Sequence, residues 1–277
     1  MIKGRYFSHF TSIENLNLIL KNKTIRFNRL DLIDDISETK ILELESAGKL
    51  VYVSCWTEDT NDTNDNIALW SMYANNMHGV KIILPFYPFI ITQNEREYYI
   101  DDVPEEENCK LKGYEIRKKD KFEFNPYIFS LSESKFFSFF DKIRYYDDFY
   151  KEKEKIIREF EQGSEVFAYY SLEAVGRSKH IDWKFLNEYR YFLLYSEQNM
   201  TSGILEGTGA DTLRDKFDDL VTNKCIDIPI HEEALKRMKV IIGPKCNESE
   251  VDFIHYIVDK YNKDITIKKS KWKNLIR

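Results

Sequence analysis

Length, composition and charge exclude several broad classes of protein. The chain has 277 residues, of which 43% are hydrophobic, 15% aromatic and 32% charged, so it is long enough to bury a substantial core. Its formal net charge of −6 argues against a general electrostatic attraction to nucleic acid or to anionic membranes. The N-terminus lacks an apolar signal core and no apolar run is long enough to span a bilayer. A cytoplasmic protein without a membrane partner is therefore expected.

The four cysteines and five histidines are scattered along the chain. The cysteines, at positions 55, 109, 225 and 246, never form a C-x-x-C pair, and no two histidines have H-x-x-x-H spacing. A classical zinc site, and a metal cofactor with it, is therefore not expected. Free thiols agree with a reducing compartment.

The first third of the chain predicts short strands that alternate with helices. The predicted strands are runs rich in β-branched and aromatic residues at 4–10, 24–28, 50–56 and 80–84. A helix begins after the first strand, where Thr11 and Glu14 have the spacing of a capping box. A second helix is predicted over about 66–76, after a polar loop at 57–65, and Gly79 suits its C-terminal end.

The rest of the chain is less regular. Between about 85 and 180 it is aromatic and charged, and we predict one strand at 142–146 and two helices, at 148–162 and 165–178. Further strands are predicted at 188–195, 225–230, 240–243 and 264–269. Helices are predicted at 231–239 and 249–262, and a loop at 204–211 whose glycines are too loosely spaced to cradle a phosphate.

No repeat, low-complexity linker or clear boundary divides the chain. The mixture of strands and helices predicts a single α+β domain over 1–277, with residues 85–180 as an elaboration.

Three short stretches of sequence, called islands below, carry residues suited to chemistry, and two of them lie in the first third of the chain. His9 stands near the end of the first strand, two residues before Thr11. Trp70, Tyr73 and Ala74 share one helical face, because they are spaced i, i+3 and i+4. Such a stripe is typical of core packing, and His9 can likewise fill a niche beside a capping threonine. Tyr and Trp also present a flat ring with a polar group to heteroaromatic ligands.

The third island is the sequence NEYR, which opens the predicted strand at 188–195. Glu188 and Arg190 fall on one face of that strand together with Phe192. Glu188 is then either a salt-bridge partner of Arg190 or a carboxylate presented to a ligand.

Taken together, these islands resemble a bacterial family catalogued as domain of unknown function twenty-nine seventy-one. The resemblance is carried by HFTS, SCW, LWSMYANNMHGV and W…NEYR, and by the C-terminal stretch IPIHEEALKRMKVIIGP. It covers most of the chain except the middle third. That family in turn resembles a distant branch of the ADP-ribosyltransferase fold, which has a split, bent sheet with surrounding helices and splits NAD with a His-Tyr-Glu triad.

The resemblance implies a role for each triad residue. His9 would bond a ribose hydroxyl and help to hold the nicotinamide amide, Tyr73 would stack on the nicotinamide ring, and Glu188 would be the catalytic carboxylate. The resemblance also implies a wider set of NAD-binding residues: Thr11, Ser54, Trp70 and Arg190. Of these, Trp70 would buttress Tyr73, and Arg190 would organise Glu188 or meet a diphosphate.

One departure from the family narrows the expected chemistry. The family commonly has Glu-x-Glu-x-Arg at the third island, and Leu186 occupies the first of those positions here. Modification of arginine is therefore in doubt. The expected function is transfer of ADP-ribose from NAD to a macromolecule, protein or nucleic acid, as a toxin or anti-phage effector with a neutralising partner protein. The alternative is a non-catalytic nucleotide-sensing or protein-interaction module on the same fold.

Overall fold

The computed structural model describes most of the first 89 residues and the C-terminal part of the chain. The described ranges are 5–40, 45–59, 65–89, 91–93, 96–98, 127–129, 140–162, 165–170, 174–196 and 221–276. Within them, helices accompany a mixed, largely antiparallel sheet, which confirms the α+β class. Much of the predicted elaboration at 85–180, and the predicted loop at 204–211, lie outside these ranges.

The described elements are short. The strands are β1 (Tyr6–Thr11), β2 (Thr24–Arg29), β3 (Val51–Glu58), β4 (Val80–Pro85), β5 (Ile91–Gln93), β6 (Arg96–Tyr98), β7 (Tyr127–Phe129), β8 (Phe140–Lys142), β9 (Arg144–Tyr146), β10 (Ile157–Gln162), β11 (Glu165–Tyr170), β12 (Ser178–His180), β13 (Glu188–Ser196), β14 (Cys225–Pro229), β15 (Lys239–Ile242) and β16 (Thr266–Lys269). The α-helices are α1 (Ile13–Asn22), α2 (Ser37–Lys40), α3 (Ile67–Tyr73), α4 (Phe149–Ile156), α5 (Glu232–Lys236) and α6 (Glu248–Tyr261). Turns of 3₁₀ helix lie at Leu30–Leu32, Glu45–Leu50 and Ile181–Leu186.

The main sheet splits along one edge of its third strand. Its order is β14-β2-β3-β1-β4-β15-β16, and β13 pairs with β3 along the opposite edge of that strand. On the split edge, β2 pairs only with the start of β3, at Tyr52 and Val53. β1 pairs only with its end, at Thr57 and Glu58. Among the described residues, no strand pairs with this edge at residues 54–56, and β1 and β2 diverge there.

The core lies between the sheet and two helices. Every residue of β4 is buried, as expected of a strand inside a sheet that is covered on both faces. α1 packs against α6, and both are amphipathic, with Leu16 and Leu20 of α1 and Ile254 and Ile257 of α6 buried. Among the described residues, no helix combines the length and the apolar character needed to cross a membrane.

Most predicted elements of the first and last thirds are confirmed to within a few residues. They include the strands predicted at 24–28, 50–56, 80–84, 188–195, 225–230, 240–243 and 264–269, and the helix predicted at 249–262. The helix predicted at 231–239 is shorter and ends at Lys236. Runs rich in β-branched and aromatic residues were the signal for these strands, because such residues are favoured where a strand packs against a core.

Two helix boundaries differ from those predicted. Ser12, and not Thr11, is the N-cap of α1, because its side chain accepts the Asn15 backbone N–H at 3.2 Å while Thr11 completes β1. α3 ends at Tyr73 because the chain turns with positive φ through residues 75–77. Gly79 therefore does not cap the helix; a Cβ there would lie 2.3 Å from the Thr11 carbonyl oxygen, so the position requires glycine for close packing.

The helices predicted in the middle of the chain are largely wrong. α4 stops at Ile156, and the chain then forms β10, which pairs antiparallel with β11 where the second helix was predicted. The β-branched and aromatic residues of Glu165–Tyr170 favour a strand once a partner strand is adjacent. The strand predicted at 142–146 is interrupted at Ile143, because β8 pairs with β13 whereas β9 pairs with β12.

The capping role of Ser12 can be tested by substitution. Ser12→Ala removes the side-chain acceptor, so we expect the free energy of unfolding to fall by about 1 kcal/mol in urea denaturation. Ser12→Asp keeps an acceptor at the same position and should remain close to wild type. A Ser12→Ala variant as stable as wild type would assign the cap to Thr11 instead.

Candidate active site

A cavity of about 250 Å³ opens where the sheet splits. Its floor is formed by residues 53–57 of β3, and residues 32–34 lie over it. Side chains from five further elements complete the lining: His9 and Phe10 of β1, Arg26 and Asn28 of β2, Leu69 and Tyr73 of α3, Lys179 of β12, and Glu188 of β13. Leu186, from the 3₁₀ turn before β13, also lines it. Mostly apolar walls with a few converging polar groups are typical of a small-molecule site.

His9 spans the gap that the split leaves in the sheet. Its Nδ1 lies 2.8 Å from the carbonyl oxygen of Cys55. A carbonyl can only accept a hydrogen bond, so we assign the proton to Nδ1, and Nε2 is left as an acceptor. Burial lowers the pKa of His9, although the bond to Cys55 opposes that effect, so the neutral ring is favoured.

Tyr73 closes α3 and lies half-buried at the cavity wall. Burial raises the pKa of its hydroxyl, and the negative charges of Asp34 and Glu188 raise it further. The hydroxyl therefore keeps its proton.

Glu188 belongs to a buried ionic cluster of two carboxylates and two cations. Arg190 donates from Nε to Glu188 Oε1 at 2.5 Å, and its two terminal nitrogens donate to the carboxylate of Glu38 at 2.5 and 2.8 Å. Lys179 Nζ lies 2.9 Å from Glu188 Oε2 and 3.5 Å from Glu38 Oε1. All four side chains are buried. The salt bridge between Glu188 and Arg190 is thus present, and it lies beside the cavity.

The two carboxylates of the cluster differ in the direction in which their pKa values are shifted. Burial raises the pKa of Glu188, but the charges of Arg190 and Lys179 outweigh it and lower that pKa to about 2. Glu38 has the same cationic neighbours, yet burial raises its pKa on balance. The carboxylate that lines the cavity is therefore the more firmly ionised of the two.

One oxygen of Glu188 lacks a hydrogen bond. Oε2 is fully buried and has no hydrogen-bond partner among the described residues, since the Lys179 ion pair falls outside hydrogen-bonding geometry. The thiol of Cys55 lies beside the same carboxylate and stays protonated, because burial and then the charge of Glu188 raise its pKa. Buried carboxylate oxygens are nearly always hydrogen-bonded, so Oε2 has the capacity for a donor, which a ligand would reach on displacement of the Lys179 ammonium group that lies 2.9 Å away.

The structure brings four of the predicted site residues to the cavity. His9, Ser54, Tyr73 and Glu188 all line it, although their roles remain predictions. Ser54 is buried and accepts the Trp56 indole N–H at 3.0 Å.

The other three predicted residues do not line the cavity, which corrects the expectation that they contact NAD. Thr11 is buried in β1 opposite Val80. Trp70 is fully buried, donates to Asp65 and packs edge-on against Phe10. Arg190 is fully buried behind Glu188, so it organises that carboxylate and cannot meet a diphosphate in this arrangement.

Several lining residues were not identified from the sequence. Lys179 gave no local signal, because Glu38 lies far from it along the chain and Glu188 lies on another strand. Arg26 and Asn28 did give one: they alternate with buried Ile25 and Phe27 and so share the exposed face of β2.

Comparisons with known proteins add no relative. A scan against protein-family models, a search of curated proteins and a search of solved structures each found no match. Among the described residues, no group of three or more His, Cys, Asp or Glu side chains could hold a metal ion. Function is therefore inferred from the geometry of the cavity and from the residues that carry the family resemblance.

The ionic cluster predicts a specific loss of stability in acid. The folded-state pKa of Glu188 is about 2, below its ordinary value of 4.5, so its contribution is present above pH 4.5 and is lost as the pH falls toward 2. We expect the free energy of unfolding of the wild type to fall over that range by on the order of 3 kcal/mol more than that of Glu188→Gln. Urea denaturation in a pH series would measure it. Parallel curves for the two proteins would contradict it.

Proposed function

We propose that the chain is an ADP-ribosyltransferase that binds NAD as its substrate, cleaves the nicotinamide–ribose bond and transfers ADP-ribose to a macromolecular acceptor. One observation carries the proposal. The ionised Glu188 lines the same cavity as His9 and Tyr73. Those are the side chains that the family resemblance implies for a His-Tyr-Glu triad.

The chemistry of NAD cleavage suits these groups. When the bond from ribose C1′ to the nicotinamide nitrogen breaks, its electron pair leaves with neutral nicotinamide and positive charge develops on the ribose, as in glycoside cleavage. A fixed carboxylate such as Glu188 stabilises that charge while accepting a ribose hydroxyl. His9 Nε2 would accept a second ribose hydroxyl, and the ring of Tyr73 would orient the nicotinamide.

The acceptor completes the reaction. Its nucleophilic atom would form the new bond to C1′ and release its proton to solvent. In the family pattern a glutamate upstream of the catalytic one stands near the acceptor, whereas here Leu186 is buried at the cavity wall. An acceptor that needs no such carboxylate is therefore favoured over arginine. The role as a toxin or anti-phage effector, with a neutralising partner, rests on the resemblance alone.

A second candidate is a module that binds a nucleotide without splitting it. The observation that favours it is the charge balance of the cluster, because Arg190 and Lys179 together offset both Glu188 and Glu38. A carboxylate that is already paired stabilises a developing positive charge less than a free one does. The two candidates differ in turnover, not in NAD binding.

Glu188→Gln separates catalysis from binding. The variant keeps the shape of the side chain and removes the charge that would stabilise the transition state. We expect NAD affinity within a few-fold of wild type and nicotinamide release slower by about two to three orders of magnitude. Release should be measured per folded molecule, because breaking a buried ion pair also lowers stability.

Glu38→Gln is the matched control for that experiment. It removes a carboxylate from the same ionic cluster, yet Glu38 does not line the cavity. We expect a similar loss of thermal stability and a far smaller loss of turnover. If both variants release nicotinamide in proportion to the folded fraction, Glu188 is structural only. A wild type that binds NAD and releases no nicotinamide, with candidate acceptors supplied, would favour the binding module.

The ring of Tyr73 is tested by its own pair of variants. If its face stacks on nicotinamide, Tyr73→Phe should retain much of the NAD affinity and Tyr73→Ala should lose it. We expect a loss of about tenfold for Tyr73→Ala in calorimetric titration, the scale of one aromatic contact. Equal NAD binding by the wild type and Tyr73→Ala would assign the ring to core packing.

A further inference from the structure

The end of the cavity formed by β2 differs from the end that holds the triad residues. Arg26 and Asn28 line it from the exposed face of β2, whereas Glu188 lies on β13 level with the end of β3, His9 lies on β1 and Tyr73 closes α3. The cavity therefore runs along β3 from Val53 to Thr57 and carries different chemistry at its two ends.

The pairing of the strands sets the distance between the two ends. Asn28 is opposite Val53 on one edge of β3, and Glu188 is opposite Thr57 on the other. Four residues of strand separate these levels by about 13 Å. With side chains extending inward from each end, this is a span that a ribose 5′-diphosphate can bridge. A ligand whose ribose sits at Glu188 would thus bring its diphosphate to the β2 end.

The lining carries two negative side chains, Asp34 and Glu188, and two positive ones, and the positive side chain on β2 favours an anion at that end. Arg26 and Lys179 are the positively charged side chains among the described lining residues. Lys179 is committed to Glu188 and Glu38 inside the buried cluster. Arg26 instead has a side chain that is 55% exposed, so its guanidinium is accessible to a ligand.

The guanidinium of Arg26 has donors to spare. Its Nε and Nη2 donate to the two carboxylate oxygens of Asp227, at 2.9 and 3.0 Å. Arginine carries five N–H groups, so the pair with Asp227 leaves those on Nη1 for another acceptor. The amide of Asn28, two residues along the same face, offers two further N–H donors. A guanidinium beside an amide is an arrangement suited to phosphate oxygens.

We infer that the β2 end of the cavity is a diphosphate subsite, where Arg26 and Asn28 bind the phosphates of NAD while Asp227 holds the guanidinium in place. The inference deepens the proposed function and rests on it. It assigns the nicotinamide riboside half of the substrate to the triad end. It assigns the ADP half to β2 and the neighbouring β14, which carries Asp227.

Calorimetric titration of the full chain with three ligands distinguishes binding at the two ends of the cavity. The ligands are NAD, ADP-ribose and nicotinamide riboside, the last of which has no phosphate. For Arg26→Gln we expect affinity for NAD and for ADP-ribose to fall about ten- to a hundredfold, the scale of a charged hydrogen bond. Affinity for nicotinamide riboside should stay within about twofold of wild type, because that ligand does not reach β2.

Asp227→Asn should not weaken binding of NAD and ADP-ribose, in contrast to Arg26→Gln. It removes the negative charge that repels the phosphates but keeps an amide oxygen that accepts a hydrogen bond from Arg26, so the guanidinium stays in place and NAD and ADP-ribose should bind at least as tightly as to wild type. A purely structural pair would instead weaken every ligand equally in both variants. Lys23→Gln is the matched control. It breaks another exposed ion pair between distant segments, with Glu232 at 3.1 Å, away from the cavity.

The outcomes distinguish the two proposals. If the wild type binds NAD and Arg26→Gln binds it with the same affinity, the subsite is overturned and the proposed function still stands. A parallel loss of nicotinamide riboside binding in Arg26→Gln would also overturn the subsite. A wild type that binds none of the three ligands would overturn both.

Discussion

Burial of the Arg190 guanidinium is the constraint that organises the site. A fully buried charge costs several kcal/mol unless it is paired and hydrogen-bonded. The chain satisfies it from three directions, with Glu188 two residues earlier on the same strand, Glu38 on α2, and the carbonyl of Gly176, which accepts Nη1 at 2.7 Å. Gly176 has a φ of 72°, a conformation that glycine adopts without strain. The helix α2 and the turn at Gly176 are thereby fixed against β13 around one side chain.

The split in the sheet gives this cluster access to a ligand. If strands paired along the whole of this edge of β3, the backbone of residues 54–56 would be covered and no cavity would form. The divergence of the two strands leaves room instead, and His9 occupies part of the gap through its bond to Cys55. Because β13 pairs in register with the opposite edge of β3, Glu188 is level with Thr57, where β1 begins to pair. Strand pairing alone therefore brings the Glu188 carboxylate close to β1, the strand that carries His9.

What the sequence predicts is the part of the structure that local periodicity encodes. β3, β4 and β13 were predicted because their apolar residues face a core, and the three triad positions were identified from islands on β1, α3 and β13. The segment Glu165–Tyr170 was predicted as a helix because its strand character depends on pairing with β10, which no local pattern reveals. Glu38 was missed for a similar reason: it contacts Arg190 across 152 residues of chain. Thr11 was chosen over Ser12 because both positions satisfy capping patterns one residue apart.

The ionic cluster has opposing effects on the chemistry proposed for Glu188. Its cations keep the carboxylate ionised despite burial, which an electrostatic role requires. The same cations offset part of the charge that a developing oxocarbenium ion would experience. The geometry apportions these effects between the two oxygens, since Arg190 engages Oε1 while Oε2 faces Lys179 without a hydrogen bond. Lys179 is tethered by a flexible stem, unlike the planar guanidinium, so a small displacement of its ammonium group would expose Oε2 to a ribose hydroxyl. Arg190 thus holds Oε1 firmly, whereas Lys179 can release Oε2. A ligand that displaces Lys179 would therefore increase the effective charge of the carboxylate by binding.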